Sequence, residues 1–499
     1  MAEQKGSPGR AALSRRAFLR TAAGAALSVP LATGAARNQA EAKAGTAATP
    51  ERLNVILLIS DTFRRDHLGC YGCDWIHTPN LDKFAADAVV FDHAYTGSYA
   101  TVPCRKDVMT GRWVFPWTGW SPLEKEFKVM SQVIGAADYT TQFVVDTPHL
   151  IRDGYSFDRG FSGWHWVRGQ ENDRWCTDRH YGVELPAAAE KLRSPDRTVR
   201  QYLRNVSRRR SEKDYFCAQT MSFAADWLRR NHDLGPFLLY ADTFDPHEPW
   251  DPPQRYVDLY DPGYEGDEII YPAYGKCNYM TRRELKHTRA LYAAELTMVD
   301  RWVGHVLDTA RKLGLYDNSL IIFATDHGFF LGENGLIGKG MNPLYGVLSH
   351  VPFIARLPGG QRGGRCQHFV QVADLLATFV DVTGAKDPGT LHGRSLRPLL
   401  QGKTLPDRAC AVSSRCPLTS KRAQERVEST ITDREWRLVY RGTTGKSELY
   451  HLPEDPAHER DLFRDRRDEA KRILDLYVDF LEGLGAPKEI IAGRSSLPT

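Results

Sequence analysis

Several stretches of the chain are continuously apolar and lack the alternation of a strand with one wet face. The clearest are Val55-Ile56-Leu57-Leu58-Ile59, Phe143-Val144-Val145, Phe237-Leu238-Leu239-Tyr240 and Leu320-Ile321-Ile322-Phe323-Ala324. Such runs predict strands buried on both faces, as in a parallel sheet. Helical patterns lie between them. In the best, over residues 289–313, Tyr292, Leu296, Val299, Val303, Val306, Ala310 and Leu313 recur at steps of three and four, making one apolar stripe. This alternation predicts an α/β fold with a large mixed, mostly parallel sheet sandwiched by helices, over residues 52–402. Residues 435–440 and 447–450 then read as antiparallel strands and 468–484 as an amphipathic helix. A small C-terminal α+β domain is therefore expected over residues 405–485.

Each apolar run ends at once in polar residues able to do chemistry. The endings are Ser60-Asp61-Thr62, Asp146-Thr147-Pro148-His149, the stretch holding Asp242, Asp245 and His247, and Thr325-Asp326-His327-Gly328. Ligands of open α/β sheets lie beyond the carboxyl ends of the strands. Asp61, Thr147, His247, Asp326 and His327 are therefore expected to converge. Any one of them alone has a plainer reading as a helix cap. Asp61, Asp326 and His327 offer two hard oxygens and an imidazole, a set that suits one divalent ion: Zn, Mn, Ca or Mg. Such an ion would offset the charge of a phosphate or sulfate ester and activate an oxygen nucleophile.

Composition adds exclusions. The 499 residues are 42% hydrophobic and 26% charged, which rules out a disordered, collagen-like or multi-span membrane chain. The formal charge of +4 resides in the leader: residues 1–36 hold Lys5, Arg10, Arg15, Arg16 and Arg20 against Glu3, leaving 61 residues of each sign beyond. A neutral mature chain has no bulk electrostatic reason to bind nucleic acid or an anionic membrane. Ser14-Arg15-Arg16-Ala17-Phe18-Leu19-Arg20, ahead of a small-residue apolar stretch, resembles a twin-arginine export signal. That predicts a periplasmic or extracellular protein with a linker over 37–51 and no stable membrane span once the signal is removed. Nine cysteines leave at least one unpaired. Cys70 and Cys73 read as a local disulfide or two packed thiols, and Cys410 with Cys416 as a possible pair.

Longer blocks carry a resemblance. Residues 54–61 are followed by Asp66-His67-Leu68-Gly69-Cys70-Tyr71-Gly72 and Thr78-Pro79-Asn80-Leu81-Asp82. A central block reads Asp245-Pro246-His247-Glu248-Pro249-Trp250. A late one runs from Thr325 through Gly332-Glu333 to Gly338-Lys339-Gly340, and a final one is Glu448-Leu449-Tyr450-His451-Leu452. In order and spacing, from about Leu53 to Gly483, they resemble the sulfatase family of the alkaline phosphatase superfamily. The nucleophile motif departs from it. That family has Cys or Ser, then any residue, Pro, a small residue and Arg, and the first residue is oxidised to formylglycine. Here Thr101-Val102-Pro103-Cys104-Arg105 precedes Thr110-Gly111-Arg112. The nucleophile position is Thr101, and no formylglycine is expected. Cys104 lacks the Pro two places on.

The resemblance implies roles. Thr101 would be nucleophile and metal ligand with Asp61, Asp326 and His327. Arg105 would hold the nucleophile loop, Lys339 a non-bridging ester oxygen and His247 the leaving oxygen. Thr147 falls where related phosphonate monoester hydrolases and phosphodiesterases have a threonine. His149 and His350 are further substrate-binding candidates. Trp164, Trp166 and Trp175 either stack on a sugar or aryl leaving group or pin a loop. Formylglycine hydrate expels sulfate by elimination, a route closed to threonine, whereas water can attack a phospho-threonine in line. The expected protein is thus an exported metal-dependent hydrolase of a phosphodiester or phosphonate monoester on a small molecule or glycan. The alternatives are a sulfatase of carbohydrate or aryl sulfates and a decayed metal- and anion-binding protein.

Overall fold

The computed structural model describes residues 52–178, 183–416 and 427–498. The expected export signal and linker lie outside them. From Arg52 onward the chain is one compact unit. Its centre is an eight-stranded sheet built from β1 (Asn54–Ser60), β2 (Val89–Tyr95), β3 (Thr140–Val145), β4 (Gly163–Trp166), β5 (Phe237–Thr243), β6 (Ser319–Thr325), β7 (Phe353–Arg356) and β8 (Gly364–Gln371). The order is β8-β2-β7-β6-β1-β5-β3-β4. Only β7 runs antiparallel to its neighbours. Every residue of β1, β5 and β6 is buried, as their unbroken apolar runs require.

Successive side chains of a strand point to opposite faces, so the sheet divides its apolar residues between two cores. Ile56 and Leu58 enter one, with α2 (Phe216–Asn231) and α3 (Arg282–Lys312) over it. Val55, Leu57 and Ile59 enter the other, under α1 (Thr101–Thr110) and α4 (Asp374–Thr383). Thr281 and Glu284 form a capping box at the start of α3, which satisfies two backbone donors left open at a helix start.

A second, five-stranded sheet takes Glu448–His451, Trp436–Tyr440, Ser429–Thr432, Ala411–Arg415 and, at its edge, Ser98–Tyr99. α5 (Arg467–Gly483) covers it through Ile473, Leu474, Tyr477 and Leu481. Ser414 and Arg415 pair in parallel with Ser98 and Tyr99, so this sheet is stitched to the chain two residues before Thr101. The nine cysteines are all free thiols, so neither Cys70–Cys73 nor Cys410–Cys416 is bonded. Among the described residues no helix is long and apolar enough to cross a membrane.

Candidate active site

Strand register assembles the site. Ser60 of β1 lies opposite Thr325 of β6 and Thr243 of β5, so Asp61 and Asp326 leave the sheet side by side. Asp242 lies one step back, opposite Ile59. Asp61, Asp326 and His327 each bring a ligand atom within 4.8 Å of the others, and all three are buried. Thr101 opens α1, and its Oγ1 is 3.4 Å from His327 Nε2. The hydroxyl thus lies at a helix N-terminus, where unpaired N–H groups favour an anion.

Arg105, one turn into α1, is buried among three carboxylates. Its Nε and Nη2 each donate to Asp242 at 3.0 Å, and Nη1 donates to Asp61 Oδ2 at 2.9 Å and to Asp326. Tyr240 and Thr147 donate their hydroxyls to the same Asp242 carboxylate. Lys339 Nζ reaches Thr62 Oγ1 at 3.0 Å and Asp61 Oδ1 at 3.5 Å. Three carboxylates therefore face two cations. Burial works against the Asp61 charge, but Lys339 and Arg105 hold that carboxyl well below its usual range. Burial pushes Asp326 up to about 7, against the pull of Arg105.

A divalent cation fits this donor set, because it would supply the positive charge the Asp61–Asp326 pair lacks. The imidazole fits too. Burial and Lys339 keep His327 neutral, far below its ordinary range. Its Nδ1 sits 3.0 Å from the Gly328 carbonyl. With the proton held there, the Nε2 lone pair faces Thr101, the orientation a metal-ligating histidine needs.

Thr101 and Lys339 open onto a cavity of about 950 Å³. Thr101, His149, His247 and Lys339 line it. So do Trp120, Glu171, Arg193 and Tyr274, and from the second sheet Arg415, Glu428 and Arg441. His247 stacks on Phe244 with ring centroids 3.8 Å apart, and its Nδ1 meets the Glu248 carbonyl at 2.6 Å, leaving Nε2 for a ligand. Burial keeps His247 neutral. His149 is held by Glu171, Nε2 to Oε2 at 2.9 Å. Burial opposes the Glu171 charge, but His149 keeps that carboxyl well below its ordinary range. Glu171 has φ +45°, a left-handed conformation that costs a non-glycine residue energy.

Other candidates lie elsewhere. Thr147 is buried with its hydroxyl given to Asp242, one layer behind the cavity. His350 is turned away: a bridge to Tyr95 places its Nε2 2.6 Å from the Asp92 carbonyl, and its ring stacks on Tyr95 at 4.6 Å. Trp164 and Trp166 belong to edge strand β4, and neither they nor Trp175 reach the cavity. The tryptophan that does is Trp120. Cys104 Sγ points inward to the Asp326 carbonyl and Thr96, and burial raises its thiol far above the usual range. It cannot reach a substrate in the cavity.

The family described as Sulfatase matches residues 53–385, and the one described as N-sulphoglucosamine sulphohydrolase, C-terminal, matches 332–477. An arylsulfatase of Clostridium perfringens is 24% identical over 390 residues, covering 70% of this chain and 78% of the relative. An N-acetylglucosamine-6-O-sulfatase of Bacteroides thetaiotaomicron is 23% identical over 473 residues, covering 83% of each. Among solved structures, the phosphonate monoester hydrolase of Agrobacterium radiobacter superposes with a TM-score of 0.71 at 22% identity, covering 86% of this chain and 96% of that one. That last likeness is one of fold.

Proposed function

The chain belongs to the sulfatase family, an ester hydrolase family, and within it we propose that this protein hydrolyses a phosphodiester or phosphonate monoester through the unmodified hydroxyl of Thr101. The carrying observation is Thr101 itself: it stands on the cavity wall, at a helix N-terminus, 3.4 Å from His327 Nε2. Threonine has no second hydroxyl from which to expel sulfate, and a phosphoryl group on it is open to water.

Asp61, Asp326, His327 and Thr101 would hold a divalent ion, which when bound offsets the ester's charge and favours the alkoxide of Thr101. Thr101 Oγ1 gives its proton to solvent and forms the bond to phosphorus as the bond to the leaving oxygen breaks, and the leaving oxygen takes up a proton from solvent. Lys339 steadies a non-bridging oxygen. Neutral His247 lines the same cavity, and its Nε2 lone pair accepts from the incoming water and orients it. In the second step water forms the new P–O bond and Thr101 Oγ1 leaves with a proton. Arg105 touches no substrate. It positions the first turn of α1 against Asp61, Asp242 and Asp326.

The sulfatase names of the relatives favour a second reading, hydrolysis of a sulfate ester. One panel separates the two: p-nitrophenyl sulfate, phosphate monoester, phosphodiester and phenylphosphonate, offered to metal-loaded wild type and to Thr101→Ala. We expect phosphodiester or phosphonate cleavage that falls at least about a thousandfold in the variant. Dominant sulfate cleavage requiring Thr101 would overturn the proposal. No turnover of any ester despite tight metal binding would favour a decayed site.

A further inference from the structure

Among the described residues three arginines line the cavity, and they are not equivalent. Arg415 donates to the Gly340 and Asn342 carbonyls at 2.6 Å and lies 3.3 Å from Glu428. Arg441 is paired with Glu428 at 2.7 Å and Glu448 at 3.0 Å. The guanidiniums of both are taken up by the protein. Arg193 is different. Its nearest carboxylate oxygen, Oε1 of Glu248, is 3.9 Å away, beyond hydrogen-bond distance. Its Nη1 meets the Tyr271 hydroxyl at 3.3 Å, and its side chain is 42% exposed.

Arg193 is nevertheless held in place. Its guanidinium lies over the Tyr274 ring, 4.1 Å from the centroid, and 5.6 Å from that of Tyr271. Stacking of this kind fixes the guanidinium plane and leaves its edge donors free. The same Tyr274 ring packs against the turn that presents Lys339. A Cβ on Gly338 would lie 2.3 Å from Tyr274 Cδ1, and one on Gly340 3.0 Å from Cδ2. Arg193 and the Lys339 turn therefore flank one aromatic ring. Trp120 and Met341, 48% and 85% exposed, add apolar surface to the same cavity.

Resting on the ester hydrolase reading above, we infer that Arg193 binds a second anionic group carried by the leaving-group side of the substrate. The preferred substrate is then an ester whose leaving alcohol has a ring-sized body and its own carboxylate, sulfate or phosphate. A charge-assisted contact to a preorganised guanidinium supplies the discrimination.

The test compares 4-nitrophenyl with 3-carboxy-4-nitrophenyl esters, each prepared as phosphodiester, phenylphosphonate and sulfate. kcat/KM is measured for metal-loaded wild type, Arg193→Gln and Arg193→Lys. We expect wild type to favour the carboxylate-bearing ester by about tenfold or more. The ratio should fall to within about twofold of unity in Arg193→Gln and be partly kept in Arg193→Lys. The same ratio in wild type and Arg193→Gln would overturn the inference. The ratio is read on whichever ester is cleaved, so dominant sulfate cleavage defeats the phosphoryl reading and leaves the Arg193 result to stand or fall separately. If no ester turns over, calorimetric affinities of the same pairs for Thr101→Ala, with and without Arg193→Gln, decide it. Equal affinities for both esters in Thr101→Ala would overturn it.

Discussion

The Arg105 guanidinium is ion-paired to Asp61, Asp242 and Asp326 out of reach of solvent. Removing it leaves three buried carboxylates with Lys339 as their remaining cation, a loss of about 3–5 kcal/mol. Arg105→Ala should show that loss in urea denaturation, and Arg105→Lys should recover only part, since one ammonium cannot reproduce the two-point grip on Asp242. Glu248 carries a pH signature. Burial pushes its carboxyl up to about 7 from 4.5, despite Lys339. The folded protein keeps a proton that the unfolded chain releases, so this contribution is complete below the unfolded pKa and fades as pH rises through 7. Between about pH 4.5 and 7.5, wild type should lose up to about 3 kcal/mol more stability than Glu248→Gln. The proposed ligands Asp61, Asp326 and His327 were legible in the sequence because they follow apolar runs, and Thr101 because it opens a motif spaced from Thr110-Gly111-Arg112. Trp120, Glu171, Arg193 and Tyr274 stand outside such runs, so no periodicity marks them. The left-handed φ of Glu171 leaves no trace in residue type. Thr147 followed its strand end as expected, but that strand's register delivers its hydroxyl to Asp242.

At the scale of elements, the hydrophobic pattern revealed what is buried on both sides and missed what is half polar. β1, β5 and β6 follow from unbroken apolar runs. β2 and β8 are interrupted by Asp92 and His93, and by Arg365, Gln367 and His368, so no run announces them. α3 starts at Arg282, earlier than its apolar stripe, because its first turns are polar; the capping box of Thr281 and Glu284 was the available signal. Thr281→Ala should cost about 1 kcal/mol in thermal or urea unfolding. The Gly338-Lys339-Gly340 turn makes a sharper prediction. Gly338 has φ +90° and no room for a Cβ against Tyr274. Gly338→Ala should shift Lys339 and lower kcat/KM by roughly a hundredfold, with far-UV circular dichroism unchanged.

At the scale of the molecule, the second sheet is anchored through Ser98–Tyr99 just ahead of Thr101, and it supplies Arg415, Glu428 and Arg441 to the cavity. Sequence blocks indicated the family, but not this stitching, which depends on a two-residue strand. A metal bound at the proposed site would link it to the stability of the whole chain. Chelation should lower Tm, and adding back the preferred ion at about 100 times its Kd should restore about 2.7 kcal/mol; a Tm indifferent to every divalent ion would contradict the Asp61–Asp326–His327 centre. The double displacement proposed for Thr101 leaves its mark on the stereochemistry at phosphorus. A single-enantiomer phosphorothioate diester would be hydrolysed in 18O-water and the configuration of the product determined. Two in-line displacements, at Thr101 and then by water, predict net retention. Net inversion would mean that water attacks phosphorus directly and that Thr101 is not the nucleophile.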